Sequence, residues 1–332
     1  MTSVTAGVKT KKVKKKMAGT RWISWLFGLA ILVAVALFAS HRSEGQEFAR
    51  LVAHAKPAWL LLGVLLQMCT YVTDARIWQR IILRAGVSRP LRSYMSLGLA
   101  KLFMDQLLPS GGMSGTLLIV RALDRRGIPR GSSMAAIVVD VVSYYAAYVA
   151  ALTIALGVVW AHGNLTLYII LPAVIFAPVA AGIPTALVLV SRGRRLPRWI
   201  RRLPIVGSGL RALAEATPGI AHDGWLIARC IGLQAVIFLL DAGTLWVILS
   251  ALGISVDPAP VFASFVLSTL ARTLGPVPGG LGIFEAASVA TLNLMGVPIA
   301  AGLASTLLFR GFSFWLPMVP GMILARRETK AA

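Results

Sequence analysis

Six apolar runs punctuate the chain, at 22–40, 57–76, 133–160, 165–190, 226–251 and 298–325. Each is long enough to cross the hydrocarbon core as a helix, for which about 20 residues suffice. Two further apolar stretches, within 93–123 and 260–295, are broken near their centres by proline and glycine, as LPSGGMSG (108–115) and PVPGGLG (276–282). A broken stretch of this kind predicts a re-entrant pair of half-helices. Its irregular backbone must be surrounded by protein or line a watery cavity.

The pattern occurs twice. At an offset of 167 residues, Gln67, Asp74, Ala75, Ile81, Gly86 and Ser88 fall on Gln234, Asp241, Ala242, Ile248, Gly253 and Ser255. One inserted residue continues the match through Pro90 on Pro258, Ser96 on Ser264 and Leu102 on Leu270, to Gly111 and Gly112 on Gly279 and Gly280. Paired interruptions in two halves are the best sequence pointer to a transporter's binding site.

Composition places the chain in a membrane: 57% of residues are hydrophobic and 14% charged, against roughly 25% charged in soluble domains. The formal net charge of +21 does not point to nucleic acid, because the basic residues lie between apolar runs. Their distribution instead orients the spans. With the N-terminus inside, 25 basic residues fall in inside stretches and 3 in outside ones, as the positive-inside rule requires. The predicted organisation is a basic cytoplasmic tail (1–21), a first membrane repeat (22–160) and a second (165–325) that includes the basic linker 191–225, with a short cytoplasmic tail (326–332). The fold class is all-α integral membrane protein, with six transmembrane helices plus two re-entrant hairpins in an inverted repeat. The first hairpin enters from inside, the second from outside, and both termini are cytoplasmic. Cys69 and Cys230 lie within apolar runs, where packing is their expected role.

Charges inside spans are costly and are functional candidates by default. Those selected as candidates are Asp74, Lys101, Asp105, Asp140, Asp241, Arg272, Glu285 and Arg310. Lys101, Arg272 and Arg310 offer a cationic cradle for an anionic headgroup; the alternative is internal pairing, for example Lys101 with Asp105 one helical turn on. Asp74, Asp105, Asp140 and Asp241 suit either ion coupling or structural bonding. Glu285, just after the second break, either recognises or couples, or complements a helix dipole. Gly111, Gly112, Pro278, Gly279 and Gly280 permit the chain reversal and close approach of a ligand, and the half-helix that follows each break offers N–H groups to an anion.

PVPGGLGIFEA (276–286) resembles the hallmark of the lysylphosphatidylglycerol-synthase transmembrane-region family, also described as flippase-like or UPF0104 membrane proteins. LPSGGMSG followed by Arg121 is similar to that family's first conserved segment, although Thr116 stands after Gly115 where many members carry an acid. The resemblance spans roughly 22–325 and implies movement of lipids or lipid-linked groups between leaflets, in the cell (inner) membrane of a prokaryote. Aminoacyl transfer is not expected, since in two-part members it belongs to a separate soluble domain and only seven residues of this sequence follow the last span.

No phosphate-binding G-x-x-x-x-G-K-[ST] loop, metal-ligand spacing or nucleophile motif is present. No cofactor, metal or catalytic residue is therefore expected. The expected partner is a membrane lipid, anionic or polyprenyl-linked. The alternatives are a membrane enzyme acting on a lipid headgroup, with Asp140, Asp241 or Glu285 as acid or base, and an accessory subunit in lipid or envelope biosynthesis that docks a partner through 191–225.

Overall fold

The computed structural model describes residues 50–107, 113–191, 217–275 and 277–330. The first apolar run, the tip of the first broken stretch with Gly111 and Gly112, and most of the basic linker lie outside them. Among the described residues every regular element is helical. They are α1 (Pro57–Arg84), α2 (Leu91–Leu107), α3 (Met113–Arg125), α4 (Arg130–Ala161), α5 (Leu167–Ser191), the short α6 (Pro218–Ala221), α7 (Gly224–Ala251), α8 (Pro258–Leu274), α9 (Ile283–Leu294), α10 (Ile299–Arg310) and α11 (Leu316–Lys330).

Among the described residues five spans are long and apolar enough to cross a membrane: α1, α4, α5, α7 and the continuous run Ile299–Glu328 that contains α10 and α11. They coincide with five of the six apolar runs; the sixth, 22–40, lies outside the described residues. Leu61, Leu167, Val174, Leu239 and Val319 stand exposed on their outer faces. So many outward apolar side chains would be a liability in water and are what a bilayer requires. The chain is an all-α, multi-pass membrane protein.

The elements of the two halves correspond. α1 and α7 have 28 residues each, α2 and α8 have 17 each. α1 ends on Gly86 at φ 80° and α7 on Gly253 at φ 80°; the arms α3 and α9 end on Gly127 at φ 75° and Gly296 at φ 88°. In all four, the residue after the glycine donates its N–H to a carbonyl five residues back: Val87 to Ile82, Ile254 to Leu249, Ile128 to Leu123 and Val297 to Leu292. This closure satisfies carbonyls left over at a helix end, and it needs the left-handed backbone that glycine adopts freely.

The counterparts α1 and α7 pack side by side and run antiparallel. The N–H of Lys56, before α1, donates to the carbonyl of Ala251 at the end of α7 at 2.9 Å. At the other end Arg84 Nε meets the Asp223 carboxylate at 2.6 Å. Asp223 also caps α7, accepting the N–H groups of Trp225 and Leu226, the usual task of an N-cap aspartate.

Each broken stretch forms a helical hairpin. In the first, α2 and α3 lie against each other with their open ends joined, Arg126 donating to Ser93 Oγ at 3.3 Å and Arg89 to the Arg126 carbonyl at 3.2 Å. In the second, Ser264 of α8 meets Thr291 of α9 at 2.6 Å. The final span is less regular than its sequence predicts. A π-helical turn, Gly311–Trp315, interrupts it directly after Arg310. The Tyr71 hydroxyl donates to the carbonyls of Phe312 and Ser313, at 3.2 and 3.5 Å, tying that turn to α1.

The two cysteines part company. Cys230 is buried as expected, but Cys69 is exposed on the outer face of α1, so core packing is not its role.

Candidate substrate cavity

Polar residues at helical spacing on α1 (Gln67, Thr70, Tyr71, Asp74, Trp78) would be an expensive stripe if it faced lipid. It faces inward instead, onto a cavity of about 660 Å³. Seven of the eight intramembrane charges selected from sequence line this one space: Asp74, Lys101, Asp105, Asp140, Asp241, Arg272 and Arg310. The eighth, Glu285, sits immediately behind Arg310. The cavity extends along α4 from Arg130 to Tyr145, about 22 Å at the helical rise. It reaches the surface at Arg130 and Leu117, both exposed.

The other end is closed by aromatic rings. Tyr144 and Tyr148 of α4 contact Phe238 of α7, with ring centroids 6.0 and 5.2 Å apart. Phe238 reaches Phe265 of α8, and Phe265 reaches Phe284 of α9 and Phe309 of α10. Beyond Tyr148 the same helix is packed tightly through Ala151, Leu152, Ala155 and Val159.

Two pairs of charges are used internally, and in the same way. Glu285 Oε1 accepts from Arg310 Nε at 2.8 Å, while its other oxygen accepts the Gly282 N–H at 2.7 Å at the start of α9. Asp105 lies 3.7 Å from Lys101 Nζ and accepts the Gly115 N–H at 2.9 Å near the start of α3. Each hairpin thus carries a carboxylate on the first N–H groups of its second arm, backed by a cation. At each start one N–H of those that the sequence offers to an anion is taken by an internal carboxylate, Gly282 N–H by Glu285 and Gly115 N–H by Asp105. The protein's own carboxylates already meet the N–H dipoles there. Glu285 and Arg310 are both almost fully buried, with Arg310 also donating to the Gly279 carbonyl at 2.9 Å and lying over the Phe314 ring.

Gly279, Gly280 and Gly282 adopt φ of 63°, 65° and 80°, which reverses the chain between α8 and α9. Gly280 lies under the Arg272 side chain, where a Cβ would overlap its methylenes. Pro278 stands in the same turn. The glycines therefore shape the seat of Arg272.

Two aspartates are tied across elements by the glutamines that the repeat superimposes. Gln67 donates to Asp241 at 3.2 Å, joined by Thr70 at 3.3 Å. Gln234 donates to Asp140 at 3.2 Å. Two charges remain without such ties among the described residues. Arg272 makes no ion pair there, though Asp241 lies within its electrostatic range. Asp74 makes no hydrogen bond there; its carboxylate presses against Gly98 of α2, within range of Lys101.

Gln67, Thr70, Tyr71, Trp78, Gln106, Arg130, Tyr144, Gln234 and Thr269 complete the polar lining. None was selected from sequence. The signal available was the spacing of polar residues along the α1 run, which places Gln67, Thr70, Tyr71, Asp74 and Trp78 on one face.

A bundle of apolar helices around a cavity lined by charges of both signs defines a polytopic membrane protein with an internal polar cavity. The family model for the lysylphosphatidylglycerol synthase TM region matches residues 25–321, and the chain belongs to that family. It is also similar to a UPF0104 membrane protein of Methanocaldococcus jannaschii, 22% identical over 325 residues that cover 92% of this chain and 94% of the relative.

Proposed function

We propose that this protein is a lipid translocator, moving an amphiphilic lipid between leaflets by taking its headgroup into the central cavity. The observation that carries the reading is the cavity itself: charge in the apolar part of the bundle, open at the Arg130 end and closed by rings at the other. A headgroup enters water-lined space while its chains stay in hydrocarbon, so its charge is not exposed to lipid. Arg272, free of an ion pair among the described residues, is the proposed contact for an anionic group, because guanidinium presents a planar fork to phosphate.

Positive-inside counting puts Arg84, Arg130 and Asp223 at the cytoplasmic face. The cavity would then open to the cytoplasm, with the aromatic layer as the seal towards the other side. In this reading the hairpins are re-entrant from opposite faces, and antiparallel packing of α1 on α7 supports an inverted repeat. Rocking of one repeat on the other would separate Phe238 from Tyr144 and Tyr148 and open the opposite face. Asp74 is the proposed coupling group if a proton or ion gradient drives the cycle. The basic linker 191–225 would hold anionic lipid or a biosynthetic partner at the cytoplasmic surface. We read the chain as a carrier, in which the carboxylates and cations of the cavity lining hold a headgroup and do not react with it.

The test is reconstitution of the purified protein in liposomes with labelled lipids, comparing wild type with Arg272→Ala. Leaflet exchange that needs Arg272 and leaves the lipid chemically unchanged supports a translocator. Recovery of a covalently altered lipid would replace it with the enzyme reading.

A further inference from the structure

The last span changes partners halfway along. Its first half, α10, is fastened to the second hairpin: Thr306 shares a hydrogen bond with Ser288 of α9 at 2.8 Å, and Arg310 holds Glu285. Its second half, α11, is fastened to the first hairpin. Gly321 lies so close to α2 that a Cβ there would meet the Leu99 carbonyl oxygen at 2.7 Å, and Glu328 pairs with Arg125 and Arg126 where α3 ends. The π-turn Gly311–Trp315 is the joint between these two halves.

Pro317 leaves that joint short of donors. In an α-helix the Leu316 N–H would serve the Phe312 carbonyl, but here it reaches back five residues to Gly311. The α-helical donor for the Ser313 carbonyl is residue 317, and so is the π-helical donor for Phe312. Proline has no N–H to give. Both carbonyls accept from the Tyr71 hydroxyl of α1 instead, at 3.2 and 3.5 Å. A hydroxyl carries one proton, so a single shared bond from another helix stands in for the helical donors. Kinks concentrate at prolines and π-turns, and a joint bonded in this way bends at low cost. Tyr71, Arg310 and Ser313 all line the cavity, which sets the joint in the cavity wall.

Resting on the translocator reading, we propose that the π-turn is the hinge of the transport cycle and that the Tyr71 hydroxyl is its latch. With the bond made, α10 and α11 keep their present angle and the cavity stays open at Arg130. When the bond breaks, the span bends at Gly311–Trp315, and each hairpin moves with the half-span to which it is fastened. Rocking of the two repeats then costs neither the Glu285–Arg310 pair nor the pairs of Glu328. Tyr71 acts through the backbone of the last span and is a positioning residue, not a headgroup ligand.

The experiment uses the full chain in liposomes, with Cys69 and Cys230 replaced by alanine and spin labels on single cysteines at Asp124 and Leu294. These positions lie at the ends of α3 and α9, one on each hairpin, and both are exposed. Double electron–electron resonance reads the distance between the labels, and leaflet exchange of chain-labelled phosphatidylglycerol is followed in parallel. Tyr71→Phe removes the hydroxyl alone and should broaden the distance distribution or add a second distance. Pro317→Ala restores an N–H opposite both carbonyls. It should leave a distribution no broader than that of wild type and slow exchange about fivefold, the scale of one backbone hydrogen bond. Because it adds a bond to the helix, it keeps the test open should Tyr71→Phe fail to fold. The same distribution in wild type and Tyr71→Phe would overturn the latch, and Pro317→Ala exchanging at the wild-type rate would overturn the hinge; in both cases translocation still stands. Distances that respond as expected in a protein that exchanges no lipid above protein-free liposomes would keep the hinge and overturn the translocator reading.

Discussion

Glu285 and Arg310 form an ion pair at 2.8 Å in which neither side chain is more than 4% exposed. Glu285 is held by the Gly282 N–H and Arg310 by the Gly279 carbonyl, so the pair locks the reversal between α8 and α9 onto the span that follows. Removing one member of a buried pair leaves the other charge unpaired, at a cost of about 3–5 kcal/mol. Arg310→Met should therefore lower the thermal unfolding midpoint in detergent markedly, while Arg310→Met combined with Glu285→Leu recovers much of the loss. A double variant no better than the single would mean that the pair does not act as a unit.

Arg272 should behave differently. It makes no ion pair among the described residues, and its methylenes lie over Gly280. Arg272→Gln preserves much of that packing and removes the charge. Thermal stability should stay close to wild type, while exchange of an anionic lipid in liposomes falls about tenfold or more, the loss of a charge-assisted hydrogen bond worth about 1.5–3 kcal/mol. A variant that exchanges anionic lipid at the wild-type rate would remove Arg272 from the binding site.

Much of this was legible in sequence, for identifiable reasons. Apolar runs of spanning length give spans directly, and Gly86, Gly127, Gly253 and Gly296 mark helix ends because the αL backbone there favours glycine. The intramembrane charges could be chosen because each one is costly enough to need a reason. Their pairing was not legible. Residue-by-residue comparison of the halves sets Glu285 against Leu117 and finds no acid, whereas in space its counterpart is Asp105, delivered from the opposite arm of the first hairpin. The requirement is for a carboxylate at a half-helix start, and either arm satisfies it. The π-turn after Arg310 was also hidden, since an extra residue in a helix changes hydrogen bonding without changing apolar character.

Two glycines at helix crossings separate packing from function. A Cβ on Gly321 would meet the Leu99 carbonyl oxygen at 2.7 Å and Phe103 Cβ at 3.0 Å, so α11 would have to move off α2. Gly321→Ala should destabilise by about 1–3 kcal/mol, the usual scale of overpacking. A Cβ on Gly98 meets only the Asp74 carboxylate, at 2.7 Å, and that group can rotate into the cavity. Gly98→Ala should therefore leave the unfolding midpoint nearly unchanged and alter lipid exchange. Equal destabilisation by both substitutions would show that Asp74 is fixed in place.

At the surface, Asp223 links α7 to α1. The N–H of Leu226 and then Arg84 hold its carboxyl below the ordinary aspartate range. Because the folded-state value is depressed, the stabilisation is present above the unfolded value of about 3.9 and is lost as pH falls through the lower folded value. Wild type should accordingly be more stable than Asp223→Ala at neutral pH, with the difference shrinking in acid below about pH 4. A difference independent of pH would assign the effect to helix capping without charge.

The orientation of the two halves can be settled by labelling. Cys69 is exposed and Cys230 buried, so both are first replaced by alanine. Single cysteines at Asp257, in the turn before α8, and at Asp124, near the end of α3, then mark the open ends of the two hairpins. If the hairpins enter from opposite faces, a membrane-impermeant maleimide added to intact cells reaches position 257 and spares 124, and inverted vesicles reverse the pattern. The positive-inside count makes position 257 the external one: 252–259 carries no lysine or arginine, whereas Arg121, Arg125, Arg126 and Arg130 surround position 124. Labelling of both positions from one side would break the inverted arrangement, and alternating access by rocking of two opposed repeats would fall with it.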